Sequence, residues 1–190
     1  MVTIVYRVIP KTINIKNLLA LVCSVFFMSS NVIAKEQTLG SLKAAYVYNI
    51  AKFTRWPDSI FSTNGSQFKL CLYGNDDTTS QLKLLANRSM QSHPILVKKV
   101  TTEPAINDCH LLYISAKESR RYGYVLSLIK RKTILTIGND SRFLRLGGLI
   151  NLTELEQRLQ FEVNMKQLAS SKLKLSSKLL SLGKLIEKPR

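Results

Sequence analysis

The feature that most constrains the fold is the alternation of short apolar runs with helical patterns between residues 68 and 137. Phe68 to Tyr73 reads as a strand, Gly74-Asn75-Asp76-Asp77 as a turn, and Thr78 to Ala86 as a helix that an aspartate would cap. Ile95 to Val100 is a second strand, Leu111 to Ser115 a third, Glu118 to Lys130 a helix and Thr133 to Ile137 a fourth strand. Strands separated by crossovers of this length pair in parallel, because only a two- to five-residue loop brings the next strand back antiparallel. After Gly138-Asn139-Asp140, the pair Gly147-Gly148 introduces Leu149-Ile150-Asn151-Leu152, and Arg158 to Val163 follows across a short link, as in an antiparallel hairpin. The expected fold class is therefore α/β: a single compact domain with a mixed, largely parallel sheet flanked by helices, and a C-terminal hairpin and helix.

Helical spacing marks both ends of this region. From Leu42 to Arg55, Leu42, Tyr46, Ile50 and Phe53 recur every three or four residues and predict one buried stripe, ended by Pro57. Tyr48, Lys52 and Arg55 then share the opposite face, where an aromatic beside two cations offers a surface for an anionic or planar ligand, or for a partner. The tail from Met165 to Ile186 is rich in Lys and Leu, with helical spacing around a break at Leu173-Lys174-Leu175-Ser176-Ser177. Ser176 or Ser177 caps the last helix in this reading, and Leu179, Leu180, Leu182 and Ile186 face the core.

The first 34 residues carry Arg7, Lys11 and Lys16 ahead of an apolar run from Leu18 to Met28, then Val32-Ile33-Ala34, with no acidic residue before Glu36. This is the pattern of a cleaved export signal, 1–34, followed by a working domain, 35–190. The signal takes three of the 28 basic residues and none of the 12 acidic ones, which leaves 25 minus 12, or +13, on the exported part. Export turns that charge away from nucleic acid and toward anionic lipids, anionic small molecules or an acidic protein face. It also puts Cys71 and Cys109 in an oxidising compartment. Cys71 lies in a predicted strand and Cys109 immediately precedes another, so a disulfide needs only that the two strands lie side by side.

Catalytic constellations are scarce. His93 and His110 flank strands with neither a metal-ligand spacing nor a carboxylate cluster nearby, and no Gly-x-Ser-x-Gly, Cys-x-x-Cys or Walker motif occurs. Gly147-Gly148 lacks the third glycine of a dinucleotide loop and precedes a strand, so it reads as a tight turn. Asp76 and Asp77 sit where helix caps belong rather than as an acid and base pair. The expectation is a protein with no catalytic residues, metal or cofactor.

The stretch KAAYVYNIAKFTRWP, from Lys43 to Pro57, resembles the opening signature of the YfiR family of bacterial periplasmic proteins. FKLCLYG at 68–74, DCHLLYIS at 108–115, TILTIGND at 133–140, FLRLGGLINL at 143–152 and FEVNMKQLASSKLKLSSKLLSL at 161–182 resemble later family segments in the same order. The resemblance implies a compact, often dimeric α/β regulator that restrains an inner-membrane diguanylate cyclase by binding its periplasmic region, lowering cyclic di-GMP and biofilm formation. It implies that Cys71 and Cys109 pair. It also implies that Arg55, beside Trp56, and Lys174 correspond to basic positions that contact small anionic ligands, with Ser176 where an imidazole would stand and no second cysteine pair. The site expected is thus Tyr48, Lys52, Arg55, Trp56, Lys174 and Ser176. A competing expectation is a periplasmic receptor in which the same cations hold an anionic or aromatic metabolite without control of a cyclase.

Overall fold

The structure is a computed structural model, and it describes residues 38–61, 66–130, 133–156 and 158–189. The export signal read at 1–34 lies outside the described residues. The described residues begin with helix α1 (Leu39–Lys52) and strands β1 (Thr54–Arg55) and β2 (Phe68–Tyr73), then α2 (Asp77–Lys83), β3 (Ser89–Met90) and β4 (His93–Lys99). Helix α3 (Glu103–Asn107), β5 (Leu111–Ile114), α4 (Tyr122–Ser127) and β6 (Leu135–Gly138) follow. The C-terminal part holds β7 (Ile150–Leu155), β8 (Arg158–Asn164), α5 (Met165–Ser170), β9 (Lys174–Leu175), α6 (Ser177–Leu180) and β10 (Lys184–Ile186).

Eight strands form one sheet in the order β10-β8-β7-β6-β5-β2-β4-β3. Strands β4, β2, β5, β6 and β7 run parallel to one another, β3 pairs antiparallel with β4 at the edge, β7 and β8 make the expected antiparallel hairpin, and β10 returns parallel to β8. All four residues of β5 are buried, as a strand at the centre of a parallel sheet covered on both faces must be. Alternation along β2 divides the core: Phe68, Leu70 and Leu72 join α1 on one side, while Cys71 and Tyr73 join Tyr122, Val125 and Phe143 on the other. The turn after β2 is the predicted one. Asp76 caps α2 by accepting from the Thr79 amide at 2.7 Å, and the Thr79 hydroxyl accepts in turn from the Asp76 amide at 2.8 Å.

Cys71 lies on β2, and β2 pairs with β5 in a register that sets Cys71 opposite Leu112. Cys109, two residues before β5, therefore comes within 5.9 Å of Cys71 between Cα atoms, and the two are joined in a disulfide buried to 1% exposure at each end.

Several boundaries differ from the sequence reading. Helix α1 starts three residues earlier and ends at Lys52, so Arg55 leaves the helix for β1. Its buried face is Ala44, Val47, Ile50 and Ala51, while Phe53 is 40% exposed. Small residues set this face because the helix approaches α2 closely: a Cβ on Gly40 would stand 2.8 Å from that of Asp77. The expected helix at 118–130 is a 3₁₀ segment, Ala116–Arg121, continued by the short α4. In the tail, α6 ends at Leu180, and Gly183 follows where any side chain would overlap the ring of Phe161. Ile186 lies in β10, paired with β8, rather than on a helix, and Leu182 is exposed.

Two carboxylates anchor the surface of the sheet. Burial raises the affinity of Asp108 for its proton, but hydrogen bonds and charge from Lys69 and Lys98 outweigh it and hold the group below its ordinary value. Asp140 is held low chiefly by its hydrogen bonds from Arg142. A folded-state pKa below the unfolded one means that both groups stabilise the protein above the ordinary carboxylate value, about 4, and that this contribution is lost as pH falls through the folded values. Thermal unfolding followed from about pH 5 down to about pH 3 should show a falling midpoint, and Asp108→Asn should flatten that fall. An unchanged slope in the variant would contradict the assignment.

Candidate functional site: a basic cleft at the end of the first helix

Thr54 and Arg55 pair antiparallel with Lys174 and Leu175, with Arg55 directly opposite Lys174. The helix is turned into this ribbon by local bonds. The Thr54 hydroxyl donates to the Ile50 carbonyl at 2.8 Å, and the Ser176 amide donates to the Phe53 carbonyl at 3.0 Å. The Gln91 side-chain Nε2 donates to Thr54 O at 2.6 Å and to Lys52 O at 3.2 Å, the latter a carbonyl in the last turn of the helix. Gln91 and Ser92 form the two-residue loop between β3 and β4, and both have positive φ, 48° and 71°, the geometry of a tight hairpin turn.

The result is a cleft of about 680 Å³ lined by Lys52, Phe53, Arg55, Gln91, Lys174 and Ser176, among others. Lys52, Arg55 and Lys174 are exposed, none has a carboxylate partner within ion-pair distance among the described residues, and no acidic residue lines the cleft. Like charges directly opposite on paired strands repel and cost stability. A concave surface that keeps Arg55 against Lys174 without a counterion is suited to an anion, and the exposed ring of Phe53 gives that anion an apolar neighbour. Ser176 accepts from the Leu179 amide at 3.1 Å as the cap of α6, so its hydroxyl proton is available to a bound acceptor.

Four of the six expected site residues thus meet: Lys52, Arg55, Lys174 and Ser176. The other two stand elsewhere. Tyr48 is half-buried and its hydroxyl donates to the Ser89 carbonyl at 3.2 Å, outside the cleft. Trp56 is 4% exposed, its ring sits edge-on to Phe68, and its indole N–H is shared between the carbonyls of Thr133 at 3.0 Å and His110 at 3.3 Å. Gln91 and Phe53 were missed. Nothing in a Gln-Ser pair announces a tight hairpin, and Phe53 reads by spacing as core.

His93 and His110 are structural in these surroundings. Phe61 stacks on His93 at 4.1 Å and meets His110 edge-on at 4.9 Å, and the His110 Nδ1 accepts from the Lys69 amide at 3.0 Å. Among the described residues no group of His, Cys, Asp or Glu could hold a metal ion, and no helix is long and apolar enough to cross a membrane.

The model of the YfiR/HmsC-like family matches residues 40–184, which takes in every element from α1 into β10. The chain belongs to the YfiR/HmsC-like family. Membership implies a periplasmic regulator in cyclic di-GMP signalling. Among solved structures, the fold is similar to that of a conserved domain protein from Vibrio cholerae, with a TM-score of 0.52 at 8% identity. That similarity covers 78% of this chain but only 60% of the Vibrio protein, and at this identity it speaks to the fold alone. No curated protein matches the sequence.

Proposed function

We propose that residues 35–190 are the exported form of this YfiR/HmsC-like chain, and that it inhibits an inner-membrane diguanylate cyclase by docking on the cyclase's periplasmic region through the basic cleft. The observation that carries this reading is Arg55 set directly against Lys174, beside Lys52, in a cleft without an acidic residue. Such an arrangement costs the isolated protein stability, and an acidic loop or helix end of a partner relieves it. Inhibition follows if the cleft fits the cyclase's inactive arrangement better than its active one; the free-energy difference between the two complexes then sets how far the equilibrium shifts. Contact through a membrane protein is also the means by which an exported chain reaches a nucleotide made in the cytoplasm.

Deleting the gene should raise cyclic di-GMP, and the wild-type gene should restore it. The double reversal Arg55→Glu, Lys174→Glu should fold but fail to restore repression, because each reversed charge in a desolvated contact weakens binding by about 2 kcal/mol or more. A level that does not rise on deletion overturns the reading. A second reading rests on the size of the cleft, since about 680 Å³ is ample for a small organic anion. In that case calorimetry with nucleotides and aromatic amino acids gives binding that Lys174→Ala weakens, while deletion leaves cyclic di-GMP unchanged.

A further inference from the structure

The ribbon that carries Arg55 and Lys174 is a weak element by itself. Strands β1 and β9 have two residues each and pair only with one another, and an isolated two-stranded ribbon is marginal in water. The cations that face each other across it oppose the pairing further. From the core side, the buried Thr54 is held by its hydroxyl bond to Ile50 O.

On the cleft side the tie is Gln91. Its Nε2 donates to Thr54 O at 2.6 Å and also reaches Lys52 O at 3.2 Å and Ala51 O at 3.4 Å, so two N–H groups serve three carbonyls on either side of the bend from helix to strand. Thr54 O belongs to the planar peptide unit that ends at the Arg55 Cα, so fixing that oxygen fixes where the Arg55 side chain departs from the backbone.

Gln91 is itself firmly placed. Its neighbour Met90 is 2% exposed within the core, and the Tyr48 hydroxyl of α1 donates to Ser89 O at 3.2 Å. A φ of 48° in a two-residue loop favours asparagine or glycine over glutamine, so the turn does not account for this residue. What glutamine adds is reach. Its amide also supplies donor hydrogens without a fourth cation beside Lys52, Arg55 and Lys174, or a carboxylate that would neutralise them.

We infer that Gln91 is a positioning residue of the basic cleft: by holding the Thr54–Arg55 peptide against the end of α1, it sets Arg55 opposite Lys174 in the geometry that docks the partner. The inference rests on the reading of this cleft as the docking surface, and Gln91 acts on docking through Arg55.

Two variants of the purified protein test it. Gln91→Met keeps the length of the side chain and removes the donor. Gln91→Asn keeps an amide and suits the positive φ better, but is one methylene too short for the bond to Thr54 O. Both should melt with the wild type. Backbone hydrogen exchange should rise at least about tenfold at Ser176, whose amide donates to Phe53 O across the ribbon, while Leu111 to Ile114 in β5 exchange as before. In cells that accumulate each variant to the wild-type level, repression of cyclic di-GMP should be lost although all three cations are present. Unchanged exchange at Ser176 would overturn the assignment, as would faster exchange throughout β5, the mark of a general loss of stability. Full repression by a variant with a loosened ribbon would also overturn it, provided that Arg55→Glu, Lys174→Glu abolishes repression. If the double reversal itself still represses, the docking reading fails, and exchange alone decides the role of Gln91.

Discussion

Replacing Cys71 with serine should lower the stability of the folded protein by about 4 kcal/mol, the chain-entropy value for a bond closing a loop of 38 residues. Both sulfurs are buried at 1% exposure, so the variant also leaves a hydroxyl and a lone thiol in an apolar setting with Tyr73, Leu112 and Val125. For a chain of this size the loss corresponds to a fall in melting temperature of about 10 °C or more. Calorimetry under oxidising and reducing conditions separates the contributions. Reductant should bring the wild type most of the way down to the variant, and should leave the Cys71→Ser variant where it is. The register explains why one bond matters this much: β2 and β5 are adjacent only because the chain crosses over through β4 and α3, and the disulfide holds that crossover closed in the unfolded chain. Equal melting temperatures in the oxidised wild type and the variant would refute the stabilising role.

What the sequence disclosed of this fold follows from which interactions are local. Strand β2 and the turn at Gly74 to Asp77 are written in adjacent residues, an apolar run followed by a glycine with a φ of 87° and a capping aspartate, and they stand where they were read. The β7–β8 hairpin is legible for the same reason. Strand β10 is not. Leu182, Leu185 and Ile186 keep helical spacing, and the extended chain is held by pairing with β8, some twenty residues away in sequence. Helix α1 was found, and Ile50 is buried with Leu42 and Tyr46 packed against the core, but Phe53 is exposed and the most buried face also takes in the small residues Gly40, Ala44 and Ala51, which a count of large apolar residues passes over. The basic cleft shows the same division. Arg55 and Lys174 lie far apart in the chain, and only their resemblance to family positions joined them before β1 and β9 put them opposite each other.

Trp56 is where the two levels of reading diverge most, and its replacement has the other large expected effect. Beside Arg55 in the sequence it reads as part of a contact surface, yet it is 4% exposed, packed edge-on to Phe68 at 5.1 Å. Its N–H binds carbonyls on the segments that enter β5 and β6. Trp56→Ala should therefore cost about 3–5 kcal/mol, the range for emptying a large buried aromatic site. Trp56→Phe keeps much of the volume but leaves the Thr133 carbonyl without its donor, a loss of about 1–3 kcal/mol. The two substitutions separate a packing role from a contact role. If Trp56 acts by packing, the Phe variant, measured where it is fully folded, binds its partner as the wild type does, and the Arg55→Glu variant loses binding without losing stability. If Trp56→Phe instead lost binding at full folding, the ring would have to reach the partner directly, which a side chain buried behind β1 does only if the ribbon of β1 and β9 opens. Urea unfolding and partner titration on the same preparations distinguish the cases, because a packing residue moves the first measurement and a contact residue the second.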